Sequence, residues 1–425
     1  MMKIKPVALI FACLLMAACV PTGYERSAKP ARPDYSSLYN PASANIMPRV
    51  RCYHSTDNES YLFFAVDLNR MMPSPKTENS KGGEIVLGVK YAIRHAETRE
   101  IIDSASMTYS FDEDERKLFL TYIPAGLPAG NDYFASMLFF DENKKSYKRV
   151  VFDIDKNHNA NESWFFPEYL EPEPQPVLEN FLSTDRHIQI SSDQITQDSL
   201  YLSLYENDSV LPAPPYKSGA EVFVSDTPAM RIKYHQDDSL LPAKSGFYFL
   251  STDSLAENGL GLFAGKGFFP WVRRPEDMAG PIKYIATGSQ YRQVIGAKNQ
   301  KAAVDKFWLD IGNSQDNARE LIRVYYNRVQ LANQYFTATR PGWQTDRGMI
   351  YIILGAPQKV HKDNSREEWI YGQSDEYEGL VFRFVKDTAS LSDNEFLLMR
   401  DVRYKEAWLD AVKSWRNGLP YAVPD

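Results

Sequence analysis

Six histidines, at positions 54, 95, 158, 187, 235 and 361, are the first side chains to weigh for metal or acid–base chemistry. They are scattered, with no ligand spacing among them, so they read as surface or internally satisfied residues. Neither H-E-x-x-H nor G-x-S-x-G occurs, and a zincin or a nucleophile elbow therefore lacks sequence support. Gly265-Lys266-Gly267 glances at a phosphate loop but lacks the Ser or Thr after lysine and lies among strands. Asp153–Asn161 places oxygen-bearing side chains at alternate positions, yet it lacks the central Gly and terminal Glu of a calcium loop and reads as a hairpin tip. Adjacent carboxylates such as Glu367-Glu368 carry no acid/base meaning until geometry is known. The expectation is a chain with no catalytic residue, no metal and no cofactor.

The cysteines point elsewhere. Residues 1–5 are basic, residues 6–18 are apolar, and Cys19 follows Ala17-Ala18. Thirteen apolar residues are too few to span a ~30 Å hydrocarbon core, whereas a basic head, short apolar run and small residues read as a secretory signal. Ala17-Ala18-Cys19 resembles the bacterial lipobox, in which cleavage precedes a cysteine that becomes lipid-modified. That resemblance implies a signal over residues 1–18, lipid on Cys19 and a mature chain held to a membrane by acyl chains. Cys13 would leave with the signal and Cys19 would carry lipid, so Cys52 would stand alone, buried or inert. Val20 is not the Asp that favours inner-membrane retention, and no acidic cluster follows Cys19. The periplasmic face of the outer membrane is favoured, with the cell surface as the other option.

The elements that must position any site follow from patterning. The 425 residues have a net charge of −7 and a pI near 5.6, so no basic excess exists to neutralise a nucleic-acid backbone. Residues 19–49, rich in Pro, Ser and Ala without an apolar period, read as a flexible tether. From 50 to 162, short runs of strand formers such as Tyr61–Leu68, Glu84–Ile93 and Tyr133–Phe140 alternate with turn signals. The Pro-rich stretch Pro167–Pro176 reads as a stiff boundary, and a second β set occupies 177–272. Both are read as antiparallel, Ig-like β-sandwiches.

Asp-Ser/Thr followed by a small or aliphatic residue recurs, placing hydroxyls at Ser104, Ser199, Ser209, Ser239, Ser254 and Thr388. Average usage predicts only about one or two such triplets. The pattern resembles the O-glycosylation sequon of one large group of Gram-negative envelope bacteria, and equally fits turns that start with Asp-Ser.

Helical patterning begins near Lys298. Ser314 reads as an N-cap, and Ala318, Leu321, Ile322, Tyr325, Val329, Ala332 and Phe336 trace one face of an amphipathic helix. Pro341 and Gly342 end it. Then comes Gly342-Trp343-Gln344-Thr345-Asp346, followed by Arg347-Gly348 and the apolar run to Leu354. This sequence resembles the defining motif of the GWxTD domain family, as do "KFWLDIG", "YYNRVQLANQYF", "EEWIYG" and "YKEAWLDAVKSWRNG" around it. The resemblance covers about residues 280–425 and implies a secreted or lipid-anchored envelope protein of undefined biochemical role.

Read physically, Trp343 would plug a gap between helix and sheet. Thr345 and Asp346 would accept backbone N–H bonds, and Asp346 would pair with Arg347 or a helix arginine. Ile350–Leu354 reads as a buried strand, with further strands at Trp369–Tyr371, Leu380–Val385 and Glu395–Met399. The domain is then α+β, with helices on one face of a small antiparallel sheet. A recognition groove at Gly342, Trp343, Thr345, Asp346, Arg347, Trp369 and Tyr371 is the functional option beside a fold-defining turn. "RGMIYIILGAPQKV…EEWIYG" also resembles a small accessory lipoprotein of the outer-membrane barrel-assembly machine, whose corresponding segment is helical.

Two functions compete at this stage. One is a non-enzymatic outer-membrane lipoprotein serving as scaffold or accessory subunit of an envelope machine for protein assembly, secretion or surface transport. Its partners would be an outer-membrane β-barrel or other envelope proteins. The other is a glycan-binding or glycan-processing lipoprotein, which the 13% aromatic content and the sandwiches permit.

Overall fold

The computed structural model describes residues 34–40, 46–75, 83–115, 117–157, 161–197, 199–206, 210–218, 227–236, 238–255, 258–363, 365–372 and 379–422. The expectations for the signal, Cys19 and Ser209 lie outside the described residues.

Seven strands form the first unit: β1 Arg49–Thr56, β2 Glu59–Asp67, β3 Glu84–His95, β4 Ile101–Asp112, β5 Leu118–Gly126, β6 Asp132–Asp141 and β7 Ser146–Asp155. They make two antiparallel sheets, ordered β1-β2-β5 and β4-β3-β6-β7. Alternate residues such as Leu62, Phe64 and Val66 of β2 meet Leu87 and Val89 of β3 and Met137 and Phe139 of β6 in one core. The period of two in each strand sends the remaining side chains outward.

The next eight strands are β8 Phe166–Tyr169, β9 Gln175–Pro176, β10 Phe181–Ser183, β11 Ile188–Ser191, β12 Leu200–Tyr205, β13 Met230–Tyr234, β14 Gly246–Ser251 and β15 Leu260–Gly265. One sheet runs β10-β15-β14-β12-β13, with β10 parallel to β15, and the other runs β11-β8-β9. The two sheets share a core of Leu, Ile and aromatic residues. The Pro-rich stretch expected as a stiff boundary therefore contributes strands. Pro167 opposes Ile190 and Pro176 opposes Glu168, positions near a sheet edge or strand end where a missing N–H is tolerated.

The C-terminal unit contains α1 Pro275–Ala279, α2 Gly288–Ile295, α3 Gln300–Gly312, α4 Gln315–Phe336 and α5 Asp346–Leu354. There follow β16 Lys359–Lys362, β17 Arg366–Tyr371, β18 Leu380–Lys386, β19 Phe396–Leu398 and α6 Lys405–Arg416. The strands form an antiparallel sheet in chain order. Ser314 caps α4 as its sequence predicts, accepting from the Asn317 N–H. The chain is thus mainly β, with several sheets and a C-terminal helical region. Among the described residues no helix is long and apolar enough to cross a membrane.

Two expectations need correction. Ile350–Leu354 belongs to a helix. Every residue of α5 is buried, so the run shows no 3.6-residue polar stripe and resembles a core strand. Its end signals decide the matter: Thr345 caps the start, and Gly355 at φ 91° closes the end. The tether expectation also fails in part. Residues 34–40 are packed, with a 3₁₀ turn at Ser36–Leu38 between two buried tyrosines, Tyr35 and Tyr39.

Candidate functional site

The Gly-Trp-x-Thr-Asp segment lies where the end of α4, the start of α5 and the sheet converge. A Cβ on Gly342 would sit 1.9 Å from the Ala332 carbonyl oxygen, and one on Gly348 would sit 1.8 Å from that of Gly342. Both glycines are therefore required by the close approach of backbones. The Thr345 hydroxyl donates to the Gly342 carbonyl at 2.8 Å and accepts the Gly348 N–H at 3.1 Å, locking turn to helix. Trp343 does not plug a helix–sheet gap. It is half-buried against Gly280 and the Tyr284 ring, and its carbonyl accepts the Tyr284 hydroxyl at 2.7 Å.

Asp346 pairs with neither Arg347 nor an arginine of α4. Its carboxylate meets Arg400 at 2.6 and 3.1 Å and accepts the Leu398 N–H at 2.8 Å, tying α5 to β19. Its place in the first turn of α5 also suits a negative charge. Arg319 and Arg323 instead pair with Asp316 and Glu320 at the surface, while Arg328 donates to the Ile352, Ile353 and Tyr421 carbonyls.

Arg347 reaches inward. Its guanidinium lies 5.0 Å from the Phe336 ring centre and 4.3 Å from that of Phe396. It donates to Glu367 at 3.1 Å and to the backbone and side-chain oxygens of Asn394, both at 2.6 Å. Glu367 is fully buried and also accepts from Trp369 Nε1 at 3.1 Å. Burial pushes this carboxyl up, but Arg347, Lys362 and the Trp369 and Tyr39 donors outweigh it and hold Glu367 below the usual carboxylate range. Tyr371, two residues beyond Trp369 on the same strand face, donates to the Gly355 carbonyl at 2.9 Å.

The remaining ligand of Glu367 comes from the far end of the chain. The Tyr39 hydroxyl donates to its carboxylate at 3.0 and 3.1 Å. The Tyr39 ring lies 5.0 Å from Phe336 and 5.2 Å from Trp369, and its carbonyl accepts the Tyr351 hydroxyl at 2.8 Å. Burial and the neighbouring Glu367 charge push the phenol well above its usual value, so it stays a neutral donor. Beside it, the Tyr35 N–H donates to the Val360 carbonyl at 2.8 Å, and Asp34 accepts the Val360 N–H at 3.0 Å. Residues 34–40 thus clasp the edge of β16. The structure joins Arg347, Trp369, Glu367, Asn394 and Tyr39 into one buried polar knot, while Thr345, Asp346 and Tyr371 are buried beside it on partners of their own, so these residues line no open groove.

Tyr39, Asn394 and Arg400 escaped the sequence reading, and Glu367 entered it only as a carboxylate beside Glu368, not as a partner of Arg347. A signal for Glu367 existed: it lies two residues before Trp369, on the same inward face of a strand. Other expected features fall elsewhere. Ser104, Ser239 and Thr388 are exposed, and Ser199 and Ser254 are half-exposed. At Leu255 and Ala389 the backbone N–H bonds to the aspartate two residues earlier, which is ordinary turn chemistry. Cys52 is buried and free, and burial pushes its thiol up to about 12. In the loop compared with a calcium site, the Lys156 ammonium fills a cage of Thr56, Glu59 and Leu127 carbonyls at 2.8, 3.3 and 2.7 Å. Among the described residues no His/Cys/Asp/Glu group could hold a metal. A shallow hollow between the first two units is lined by Tyr53, Tyr61, Trp164, Phe166, Ser191 and Asp193.

Comparison with known proteins gives partial likenesses. A Bacteroides uniformis β-glucuronidase aligns at 6% identity over 39% of this chain and 16% of its own, with a TM-score of 0.20. Bacteroides uniformis β-glucuronidase 2 aligns at 7% identity over 27% of this chain and 14% of its own, with a TM-score of 0.18. Red sea bream transglutaminase aligns at 7% identity over 53% and 31%, with a TM-score of 0.19. The chain therefore spans less than a fifth of either glucuronidase, and the scores are too low to mark a shared fold. No curated protein matches the chain. Residues 246–417 do match the GWxTD domain family, starting at β14 rather than near 280. That earlier start has a structural counterpart, because Tyr205, Phe247 and Phe249 on the outer face of the five-stranded sheet pack against Leu391 of the C-terminal unit. The C-terminal part of this chain is a GWxTD domain.

Proposed function

We propose that this chain is a non-enzymatic envelope lipoprotein, held to the outer membrane through Cys19, that serves as a scaffold or accessory subunit of a protein-assembly, secretion or surface-transport machine. Its partner would be an outer-membrane β-barrel or another envelope protein. Its first two units would be Ig-like sandwich spacers. The supporting observation is the closed polar knot. The charges of Asp346, Arg347 and Glu367 are spent on internal partners, and Tyr39 ties residues 34–40 to the GWxTD domain. Such an arrangement transmits position rather than performing chemistry. With residues 34–40 docked, only residues 20–33 separate the proposed anchor from the folded mass, a reach of about 50 Å when fully extended. The exposed Asp-Ser/Thr sites at Ser104, Ser239 and Thr388 would carry solubilising glycans.

Affinity purification from detergent-solubilised membranes tests the reading. Co-purification with an outer-membrane barrel supports it; release of the native protein from membranes by plain buffer overturns the anchored form. A glycan-binding role is the second reading, favoured by the aromatic hollow of Tyr61, Trp164 and Phe166 beside Asp193. Retention on a polysaccharide array without any protein partner would select it.

A further inference from the structure

The link from β15 to α1 presents bulky apolar side chains to solvent on a fixed base. Its root is anchored. The Phe269 ring lies 5.2 Å from Phe181 and 5.4 Å from Phe263. The buried Pro270 carbonyl accepts Asn333 Nδ2 at 3.1 Å, and the Val272 N–H donates to the Gln330 side chain at 3.1 Å. Beside these fixed points Phe268 and Trp271 point out, 49% and 41% exposed. Trp271 is the single exposed tryptophan of the seven. Phe268 and Trp271 are two aromatic rings held three residues apart on an anchored link, which makes a small fixed apolar patch rather than a mobile one.

The charge around them names that environment. Lys266, Arg273 and Arg274 stand on the same link, with Glu276 and Asp277 following in the first turn of α1, so the cations exceed the carboxylates by one in a chain whose net charge is −7. Arg274 is engaged by Asp277, whereas Lys266 and Arg273 are exposed, with the Arg273 guanidinium 5.0 Å from the Phe268 ring centre. Tryptophan and phenylalanine flanked by basic side chains suit the headgroup region of a bilayer. There the rings sit at the acyl boundary and the cations meet anionic headgroups. We infer that residues 266–274 form a rigid membrane-docking loop for an anionic lipid surface, seating the link between β15 and α1 on the bilayer. This inference does not require acylation of Cys19.

The full chain and its Trp271→Phe variant, incubated with phosphatidylglycerol/phosphatidylcholine vesicles, isolate the Trp271 signal by difference. The expected result is quenching of that signal by doxyl-labelled lipid and a roughly threefold loss of iodide quenching, as for an interfacial ring. Both effects should be lost in pure phosphatidylcholine and in a Lys266→Glu/Arg273→Glu variant, whose fold is checked by circular dichroism. Equal iodide access with and without vesicles would overturn the inference. So would shielding seen only in native membranes and not in vesicles, which would make the occupant a protein. Because the readout is local to Trp271, it separates from the anchoring proposal. Loss of acylation changes how much protein is bound, not the depth of this ring.

Discussion

Arg347 and Glu367 are 2% and 0% exposed, so each charge is stable only because the other, with its neutral donors, replaces water. Removing one partner strands the other. Glu367→Gln or Arg347→Met should each cost about 3–5 kcal/mol in chemical denaturation, whereas Arg347→Met with Glu367→Leu should cost much less than the sum. A double cycle that came out additive would dissolve the knot as a unit. Glu367 also fixes a direction in pH: its lowered folded pKa means stability is full at neutral pH and is lost as pH falls below the ordinary carboxyl range.

A second pH effect lies in the first unit. His54 is buried, its Nε2–H donates to the Asp155 carbonyl at 2.9 Å, and its Nδ1 accepts from Ser60 at 2.9 Å. Burial lowers its pKa to about 4. The unfolded chain binds the proton near pH 6.5 and the folded one does not. Stability therefore declines from about pH 6.5 down to about 4, by on the order of 3 kcal/mol. His54→Gln should flatten that part of the stability–pH curve, measured by urea midpoints at each pH.

At the scale of elements, α4 was legible because its Ser314 cap and amphipathic period agree, α3 because helical patterning begins near Lys298, and most strands because they alternate. Helix α5 was not, since burial on all sides erases the period on which the reading depends. The capping threonine and closing glycine were the surviving signal. Thr345→Ala should therefore cost about 1–2 kcal/mol by loss of the cap, more than an exposed threonine would. Of the knot, the motif residues were legible. Tyr39 was not, because a short 3₁₀ clasp contributes a single inserted ring rather than a repeating face. Its energetics are nonetheless specific. Tyr39→Phe keeps the ring and removes the donor to Glu367, a change of about 1.5–3 kcal/mol for a hydrogen bond to a charged group. Tyr39→Ala should cost about 3–5 kcal/mol and release the clasp. Hydrogen exchange at Tyr35 and Val360, whose amides are bonded across the clasp, distinguishes the two: protection is retained in the first variant and lost in the second.

Across the whole molecule, the clasp is a shared part of two units. Its C-terminal side is Tyr39 in the knot. On its other side the Tyr35 ring lies 6.1 Å from Phe134 of β6, and the Lys148 ammonium of β7 donates to the Ser37 and Asn40 carbonyls. The first unit and the GWxTD domain, far apart in sequence, are thereby coupled, while the outer face of the five-stranded sheet joins the second unit to Leu391. Five of the seven tryptophans, Trp308, Trp343, Trp369, Trp408 and Trp415, lie in the C-terminal unit, so tryptophan fluorescence follows that unit, while hydrogen exchange of the β3 and β6 amides in a thermal pulse follows the first unit. If the clasp couples the units, the two signals should melt together in the native chain. Lys148→Met with Phe134→Ala leaves Tyr39 seated but loosens the first unit's hold. The exchange transition of β3 and β6 should then move several degrees below the fluorescence transition, as expected when a destabilised domain of this size unfolds on its own. Coincident transitions in that variant would mean that the clasp decorates the surface of the first unit without coupling it.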